Sequence, residues 1–191
     1  MAPISGAPVD HGSRITESFL PETTNQQPMT NTPFHIVLVE PEIPPNTGNI
    51  ARLCAATGTV LHLVGKLGFS IDDRQLKRAG LDYWHAVDLR TWPDLASLQA
   101  AYPTKRFWYT TKKAVKSHLQ ADFRAGDLLV FGKETVGLPH ALLEANPAQC
   151  IRIPIFTETV RSLNLSTAAG IVLYEALRQS GRLEPTSPAA P

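Results

Sequence analysis

Short apolar runs alternate along this chain with segments whose apolar residues recur at helical spacing. The run His35-Ile-Val-Leu-Val39 is rich in β-branched residues and lacks the polar alternation of a half-exposed strand. Runs of this kind predict strands at 35–39, 59–64, 83–87, 106–110, 127–131 and 151–153. Helical patterns predict a first helix that ends at Gly58 and further helices at 72–79, 93–101, 139–145 and 164–179. The alternation predicts an α/β fold with a mostly parallel sheet and helices on both faces.

The first helix carries an arginine on the side away from its apolar residues. Apolar and small side chains recur at i, i+3, i+4 and i+7, namely Ile50, Leu53, Cys54 and Thr57. At about 100° per residue, Arg52 lies about 200° from both Ile50 and Cys54. Arg52 is therefore expected to face a ligand or solvent.

A stiff connection leads into this helix. The segment Pro41-Glu-Ile-Pro-Pro45 holds three prolines, which remove backbone donors and fix φ, so it predicts an extended loop. Asn46 or Thr47 is then the predicted helix N-cap.

Two unusual loops follow predicted strands. Gly132-Lys-Glu-Thr-Val-Gly-Leu-Pro139 follows the run at 127–131, and Arg161-Ser-Leu-Asn-Leu-Ser-Thr167 follows the run at 151–153. Ligands of open α/β sheets bind outside the carboxyl ends of the strands, so these loops are the predicted site. Capping of the last helix explains one polar residue of 161–167, and the excess indicates ligand contacts. Gly132 would let backbone approach a ligand, although glycine after a strand is more often an ordinary turn residue.

The composition is that of an ordinary globular protein. Of 191 residues, 43% are hydrophobic and 18% are charged. No apolar run approaches the ~18 residues of a membrane span, so no membrane partner is expected. Residues 1–32 are rich in Pro, Ser, Thr, Asn and Gln and lack the features of a secretory signal, which predicts a disordered tail. Residues 33–181 form the predicted domain, and residues 182–191 form a loose C-terminal tail.

Charge permits an anionic partner without requiring one. The net charge is +1, and residues 33–181 hold 16 Lys+Arg against 13 Asp+Glu, which leaves +3. Basic residues cluster at 74–78 and 112–116, where the alternatives are a solvated surface and phosphate contacts. The two cysteines, Cys54 and Cys150, have no metal-ligand spacing, so no metal is expected and a reducing compartment is the simplest location.

Several common enzyme classes lack their sequence signatures. No GxGxxG follows a predicted strand and no GxxxxGK[ST] occurs, which makes a nucleotide-binding oxidoreductase a distant alternative. Ser162 and Ser166 do not lie in a GxSxG elbow, so a serine hydrolase is only weakly indicated.

Three motifs in order resemble those of a known superfamily. They are Asn46-Thr-Gly-Asn-Ile-Ala-Arg52, then Phe131-Gly-Lys-Glu-Thr-Val-Gly-Leu138, then Ile151-Arg-Ile-Pro154 with Ser162-Leu-Asn-Leu-Ser166. Over about Phe34 to Gly181 the chain resembles the SPOUT-superfamily RNA 2′-O-methyltransferases. Two further segments are similar to the TrmL-type tRNA (cytidine/uridine-34)-2′-O-methyltransferases. They are the opening Val39-Glu-Pro-Glu-Ile-Pro-Pro-Asn-Thr-Gly-Asn-Ile50 and the segment Arg78-Ala-Gly-Leu-Asp-Tyr83.

The resemblance implies a fold, a reaction and partners. The fold would be an α/β knot, with a trefoil knot in the C-terminal third that binds S-adenosylmethionine. The reaction would be 2′-O-methylation of the wobble nucleotide in tRNA, with leucine tRNA as the expected substrate. The partners would be a tRNA anticodon stem-loop and a second copy of the chain, in the cytoplasm. Methylation of another RNA site, or a non-catalytic RNA-binding protein of the same fold, are the alternatives.

The resemblance also implies roles for particular residues. The expected catalytic residues are Arg52, Asn49, Glu134 and Asn164. The expected cofactor-binding residues are Tyr109, Gly132, Ile153, Ser162, Leu163 and Leu165. Candidate RNA contacts come instead from the two basic clusters, and they are Arg74, Lys77, Arg78, Lys112, Lys113 and Lys116. Because an arginine pKa lies above ~12, Arg52 is expected to stabilise developing alkoxide charge rather than act as a base.

Overall fold

Six strands form one parallel sheet in the part of the chain that the computed structural model describes, residues 32–69 and 86–183. They are β1 (His35–Val39), β2 (Val60–Val64), β3 (Leu89–Trp92), β4 (Phe107–Thr110), β5 (Leu128–Phe131) and β6 (Cys150–Ile151). Their order across the sheet is β3-β2-β1-β5-β4-β6, and every pair is parallel. The predicted parallel sheet is therefore confirmed.

Helices cover both faces of this sheet, also as predicted. They are α1 (Pro44–Thr57), α2 (Leu95–Ala101), α3 (His140–Ala145) and α4 (Leu165–Gln179), with single 3₁₀ turns at His118–Gln120 and Pro147–Gln149. On one face, α1 and α4 pack against residues such as Ile36 and Leu61 of the central strands. On the other face, α2 and α3 pack against residues such as Val37 and Val130. Neighbouring residues of a strand point to opposite faces, so the central strands are buried on both sides.

Helix α1 begins earlier than predicted. It starts at Pro44 rather than after Asn46 or Thr47, and its N-cap Ile43 makes no side-chain capping hydrogen bond. Proline is favourable in the first turn because its φ suits a helix and its missing N–H would have no partner there. Asn46 and Thr47 are consequently buried in the first turn instead of capping it.

Other element boundaries also differ from the prediction. The strand predicted at 83–87 is wrong where it is described, since residues 86–87 lie outside any strand and β3 begins at Leu89. Strand β3 lies at the sheet edge and carries exposed Arg90 and Thr91, so it lacks the continuous apolar run that marks a central strand. The helix predicted at 72–79 lies outside the described residues.

Strand β6 and helix α3 also differ from prediction. Strand β6 ends at Ile151, because Arg152 pairs instead with Ser117 in an isolated bridge. Helix α3 begins at His140, with Pro139 as its N-cap residue rather than its first helical residue. No helix in the described ranges has both the length and the apolar character that a membrane crossing needs. The knot implied by the resemblance stays a prediction.

Candidate active site

The carboxyl ends of four adjacent strands lie along one side of the sheet, which is called the loop edge below. Strands β1, β5, β4 and β6 are parallel neighbours, so the loops that follow them converge there. These loops are residues 40–43, 132–138, 111–117 and 152–164. All three motifs on which the resemblance rests lie at this loop edge.

The loop after β5 is a closed turn that requires glycine at two positions. The Gly137 N–H donates to the Lys133 carbonyl at 2.9 Å, and Gly137 adopts φ +75°. Gly132 is buried, and a Cβ added there would overlap the backbone of Gly137 and Leu138. A side chain at 132 would therefore force the backbone of this turn apart.

Glu134 reaches from this turn to the start of α1. Its Oε2 accepts from the Glu42 N–H at 2.8 Å, and its Oε1 accepts from the Ile43 N–H at 3.2 Å. The Asn46 side-chain amide also donates to Oε1, at 3.0 Å. A carboxylate at a helix N-terminus satisfies orphan N–H groups and interacts favourably with the helix dipole. Glu134 thus ties the N-cap residue Ile43 and the first-turn residue Asn46 of α1 to the loop after β5.

Asn46 joins Glu134 to the last helix. Asn46 is 4% exposed, and its Oδ1 accepts from the Asn164 side-chain amide at 2.9 Å. Asn164 is the N-cap of α4, where its Oδ1 accepts from the Ser166 N–H at 2.9 Å and the Thr167 N–H at 3.3 Å. Two expected catalytic residues, Glu134 and Asn164, are therefore linked through Asn46.

Sequence reasoning missed the role of Asn46, which it interpreted as a possible helix cap. The available signal was its position at the start of the Asn46–Arg52 motif. A buried amide in an apolar first turn needs partners for both its donor and its acceptor.

Arg52 and Asn49 are exposed on α1, as predicted for Arg52 from helical spacing. The neighbouring residues Ile50 and Cys54 are 0% and 1% exposed and pack into the core. Since Glu134 and Asn46 hold the first turn of α1, they also set the position of the helix that carries Arg52.

The expected cofactor residues fall into two groups. Gly132 and Tyr109 lie at strand ends, and the Tyr109 side chain is 2% exposed, with its hydroxyl accepting from the Gln99 amide at 3.0 Å. Burial raises the pKa of Tyr109. Its ring is thus core, and its backbone is the part that can meet a ligand. Ile153 and Leu165 are half-buried, while Ser162 and Leu163 are exposed on the loop before α4.

Two buried hydroxyls beside this edge, those of Thr47 and Thr110, lack a hydrogen bond among the described residues. Thr110 ends β4, and its Oγ1 is buried without a partner among the described residues. A buried polar atom without a partner is costly, so a donor or acceptor from a ligand would be favourable there. The residues at these strand ends therefore fit a ligand with polar groups, such as an adenosyl cofactor.

The basic residues after β4 are placed unequally. Lys112 and Lys113 are exposed, whereas the Lys116 ammonium donates to the Ala148 carbonyl at 2.8 Å and lies 5.3 Å from the centre of the Trp108 ring. Lys113 and Lys116 also line an open groove of about 570 Å³ between this segment and α3. The other candidate RNA contacts, Arg74, Lys77 and Arg78, lie outside the described residues.

The described residues contain no cluster of three or more His, Cys, Asp or Glu side chains that could hold a metal ion.

One protein-family model matches most of this chain. The model of the SpoU rRNA Methylase family matches residues 33–174. The chain belongs to the SpoU rRNA methylase family. This confirms the resemblance that the three motifs indicated.

Relatives of this SpoU-family chain include named tRNA methyltransferases. The tRNA (cytidine(34)-2′-O)-methyltransferase of Yersinia pestis is 50% identical over 155 residues, which cover 78% of this chain and 94% of that protein. A solved structure described under "Structural insights into the 2-OH methylation of C/U34 on tRNA" has a TM-score of 0.75 and 44% identity, over 79% of this chain and 98% of that one.

A more distant relative was solved with the cofactor. The SpoU methyltransferase AviRb from Streptomyces viridochromogenes, in complex with AdoMet, has a TM-score of 0.69 and 25% identity. The match covers 80% of this chain and 63% of that one.

Proposed function

We propose that this SpoU-family chain is a tRNA (cytidine(34)-2′-O)-methyltransferase that transfers a methyl group from S-adenosylmethionine to the ribose of the wobble nucleotide. The methylated nucleotide at position 34 is cytidine or a modified uridine. The observation that supports this most is the linked set Glu134, Asn46 and Asn164, which joins the three family motifs at one sheet edge. Relatives half identical over this region carry the same activity in their names.

The chain's own residues have to align and activate the ribose hydroxyl. S-adenosylmethionine supplies an activated methyl group, so the protein contributes orientation and charge stabilisation. Arg52 is exposed on α1, and its guanidinium stabilises negative charge that develops on the 2′-oxygen as its proton leaves to phosphate or water. Asn49, one turn earlier on the same helix, orients the ribose.

Glu134 and Asn164 act on this helix and on the loop that faces it. Glu134 holds the first turn of α1, and Asn164 starts α4 while donating to Asn46. Together they keep Arg52 at a fixed distance from the loop that carries Ser162. A shift of 1 Å in such a site can cost about 10²-fold in rate.

The cofactor binds where β4, β5 and β6 end. The backbone at Tyr109 and Gly132, with the Thr110 hydroxyl, provides polar groups, and Ile153, Leu163 and Leu165 provide apolar surface. Ser162 contributes a hydroxyl from the loop before α4. In the knotted fold proposed for this chain, the same loops enclose the cofactor.

The RNA partner is the anticodon stem-loop, held by basic surfaces of two copies of the chain. A charge of +3 on residues 33–181 is small for a tRNA-binding protein, and a homodimer doubles it. Lys112 and Lys113 are exposed beside the candidate site and contact phosphate. The cytoplasm, where tRNA is matured in bacteria, is the proposed location.

The test is methylation with labelled S-adenosylmethionine. Total tRNA from a strain lacking the activity is the substrate, purified leucine tRNAs are assayed separately, and nuclease mapping locates the label. Label on the ribose of nucleotide 34 is expected, and Arg52→Ala should lower its rate by 10² or more. Label in ribosomal RNA or at another tRNA position would replace the substrate assignment. Cofactor binding without transfer to any RNA would favour a binding protein instead.

A further inference from the structure

Glu42 lies in the loop after β1 and accepts hydrogen bonds from the loop after β5. Glu134 does the reverse, since it lies in the loop after β5 and accepts from the loop after β1. The Glu42 Oε2 accepts from the Thr135 hydroxyl at 2.7 Å and from the Thr135 N–H at 3.3 Å. Its own N–H donates to Glu134 Oε2 at 2.8 Å. Each loop therefore offers a carboxylate to a backbone N–H of the other, and the two contacts sit one residue apart.

The two loops are not equally anchored elsewhere. In the loop after β1, the Glu40 N–H donates to the Val64 carbonyl at 2.8 Å, and the Pro41 carbonyl accepts from the Gly68 N–H at 3.0 Å. In the loop after β5, Thr135 and Val136 are exposed, and Val136 is 77% exposed. The first loop is thus tied to the sheet, and Glu42 is in a position to hold the second.

An ion pair also joins the two loops. Lys133 Nζ lies 2.6 Å from Glu40 Oε2, and the side chains are 34% and 38% exposed. The hydrogen bond to Glu40 raises the pKa of Lys133. Exposed pairs of this kind contribute little to stability because water screens them and both side chains lose freedom. The Glu42 contacts to Thr135 are also exposed, but they differ because one of them acts directly on the backbone of the loop after β5.

We propose that Glu42 is a positioning residue for methyl transfer. Its hydrogen bonds to Thr135 fix the position of the neighbouring Glu134. Glu134 can then keep its contacts at the start of α1, the helix that carries Arg52. An ordinary solvated loop glutamate would have no such pair of reciprocal contacts. The effect on rate rests on the proposed function, whereas the effect on α1 does not.

The kinetic test compares Glu42→Ala and Glu42→Gln with Asp122→Asn. Asp122 is a surface carboxylate paired with Arg124, and it precedes β5 at the opposite edge of the sheet. Glu42→Ala should lower kcat about tenfold, equivalent to about 1.4 kcal/mol of transition-state stabilisation, while the Kd for S-adenosylmethionine changes less than twofold. Glu42→Gln should recover part of the rate, because its amide oxygen still accepts from Thr135. Asp122→Asn should keep the wild-type rate.

Thr135→Val provides a second, independent variant. It removes the hydroxyl contact and keeps the side-chain shape, so kcat should fall by several-fold. In the Glu42→Ala background the same change should add less than twofold, because the contact is already lost. Full additivity of the two changes would overturn the proposal.

Hydrogen exchange distinguishes this inference from the proposed function. Amides of residues 42–48 should exchange faster in Glu42→Ala, while those of α2 should not change. This result would support Glu42 as a positioning residue even if no RNA were methylated by the wild type. Unchanged exchange at 42–48, or a wild-type kcat in a folded Glu42→Ala protein, would overturn it.

Discussion

Two of the polar networks among the described residues lie in contrasting places, one at the loop edge and one inside the sheet. The loop network consists of Glu42, Glu134, Asn46 and Asn164, and it connects three loops that are far apart in sequence. The histidine pair consists of His35 on β1 and His62 on β2, with His35 Nδ1 2.9 Å from His62 Nε2.

The surroundings of the histidine pair fix its proton positions. The Trp92 indole N–H donates to His62 Nδ1 at 2.9 Å, so His62 carries its proton on Nε2 and donates to His35. His35 and His62 are 6% and 0% exposed. Tyr102 lies edge-on against both rings.

The two networks differ in how far their polar groups are removed from water. The histidine pair is removed from water, so its hydrogen bonds are needed to offset desolvation, and its consequence is pH-dependent stability. The loop network is more exposed, since Asn46 alone among its four side chains is buried. Its consequence is geometric, because it fixes the loops around a space that a ligand can enter. Five test substitutions, in four predictions, follow from this comparison, beginning with the largest expected effect.

Gly132→Ala should damage the loop edge most. The added Cβ overlaps backbone of Gly137 and Leu138, which cannot move as a flexible side chain could. We expect a loss of about 1–3 kcal/mol in the free energy of unfolding and loss of S-adenosylmethionine binding. Gly170→Ala is the matched control, since a Cβ there meets nothing within 4 Å and alanine favours a helix. Denaturant unfolding and cofactor titration measure both; wild-type binding by Gly132→Ala would contradict this placement of the cofactor.

Asn164→Ala should separate capping from catalysis. Asn164 caps α4 and also contacts Asn46, whereas Asp94 caps α2 by accepting from the Ser97 N–H at 2.7 Å. Each alanine variant should lose about 1 kcal/mol of stability through its cap. Only Asn164→Ala should also lose turnover, by roughly tenfold. Equal turnover in the two variants, measured with the labelled cofactor, would reduce Asn164 to a structural role.

His62→Gln should weaken the acid sensitivity of the fold. Burial, as the largest cause, lowers the pKa of His62 and of His35, with Arg90 adding to both. The unfolded chain takes up these protons below about pH 6.5 and the folded chain does not, so stability falls as the pH drops below that value. The slope of the free energy of unfolding against pH should decrease by up to about 1.4 kcal/mol per pH unit in the variant.

The histidine control is His140→Gln. The His140 side chain is 65% exposed on α3 and pairs with Glu144, so its replacement controls for the loss of a surface histidine. Urea unfolding from pH 7 to pH 5 measures both variants. An unchanged slope for His62→Gln would mean that the pair is protonated in the folded state.

Lys112→Gln and Lys113→Gln should have the smallest effects. If each contacts one phosphate, each variant should bind tRNA more weakly and reduce the slope of log K against log salt by about 1. Arg124→Gln is the control, because Arg124 is paired with Asp122 away from the site. Filter binding over a range of salt concentrations gives the slopes. A slope unchanged by either lysine variant would remove that residue from the RNA surface.

Much of the fold could be predicted from local pattern. The apolar run at 35–39 became β1 with the expected bounds, and Arg52 lies on the exposed side of α1 as its spacing indicated. Strand β3 was misplaced because its register at the sheet edge leaves half of its residues in water. Nothing in a short, half-polar segment such as Leu89–Trp92 distinguishes an edge strand from a loop.

The sequence by itself determined the alternation of strands and helices, the glycine positions of the turn after β5 and the order of the family motifs. These depend on periodicity, on backbone freedom and on residues close together in the chain. The tertiary structure alone decided that Glu134 contacts the start of α1, that Asn46 joins Glu134 to Asn164, and that His35 meets His62. Those partners are separated by 27 to 118 residues, and their hydrogen bonds exist only because parallel strands bring distant loops and side chains together.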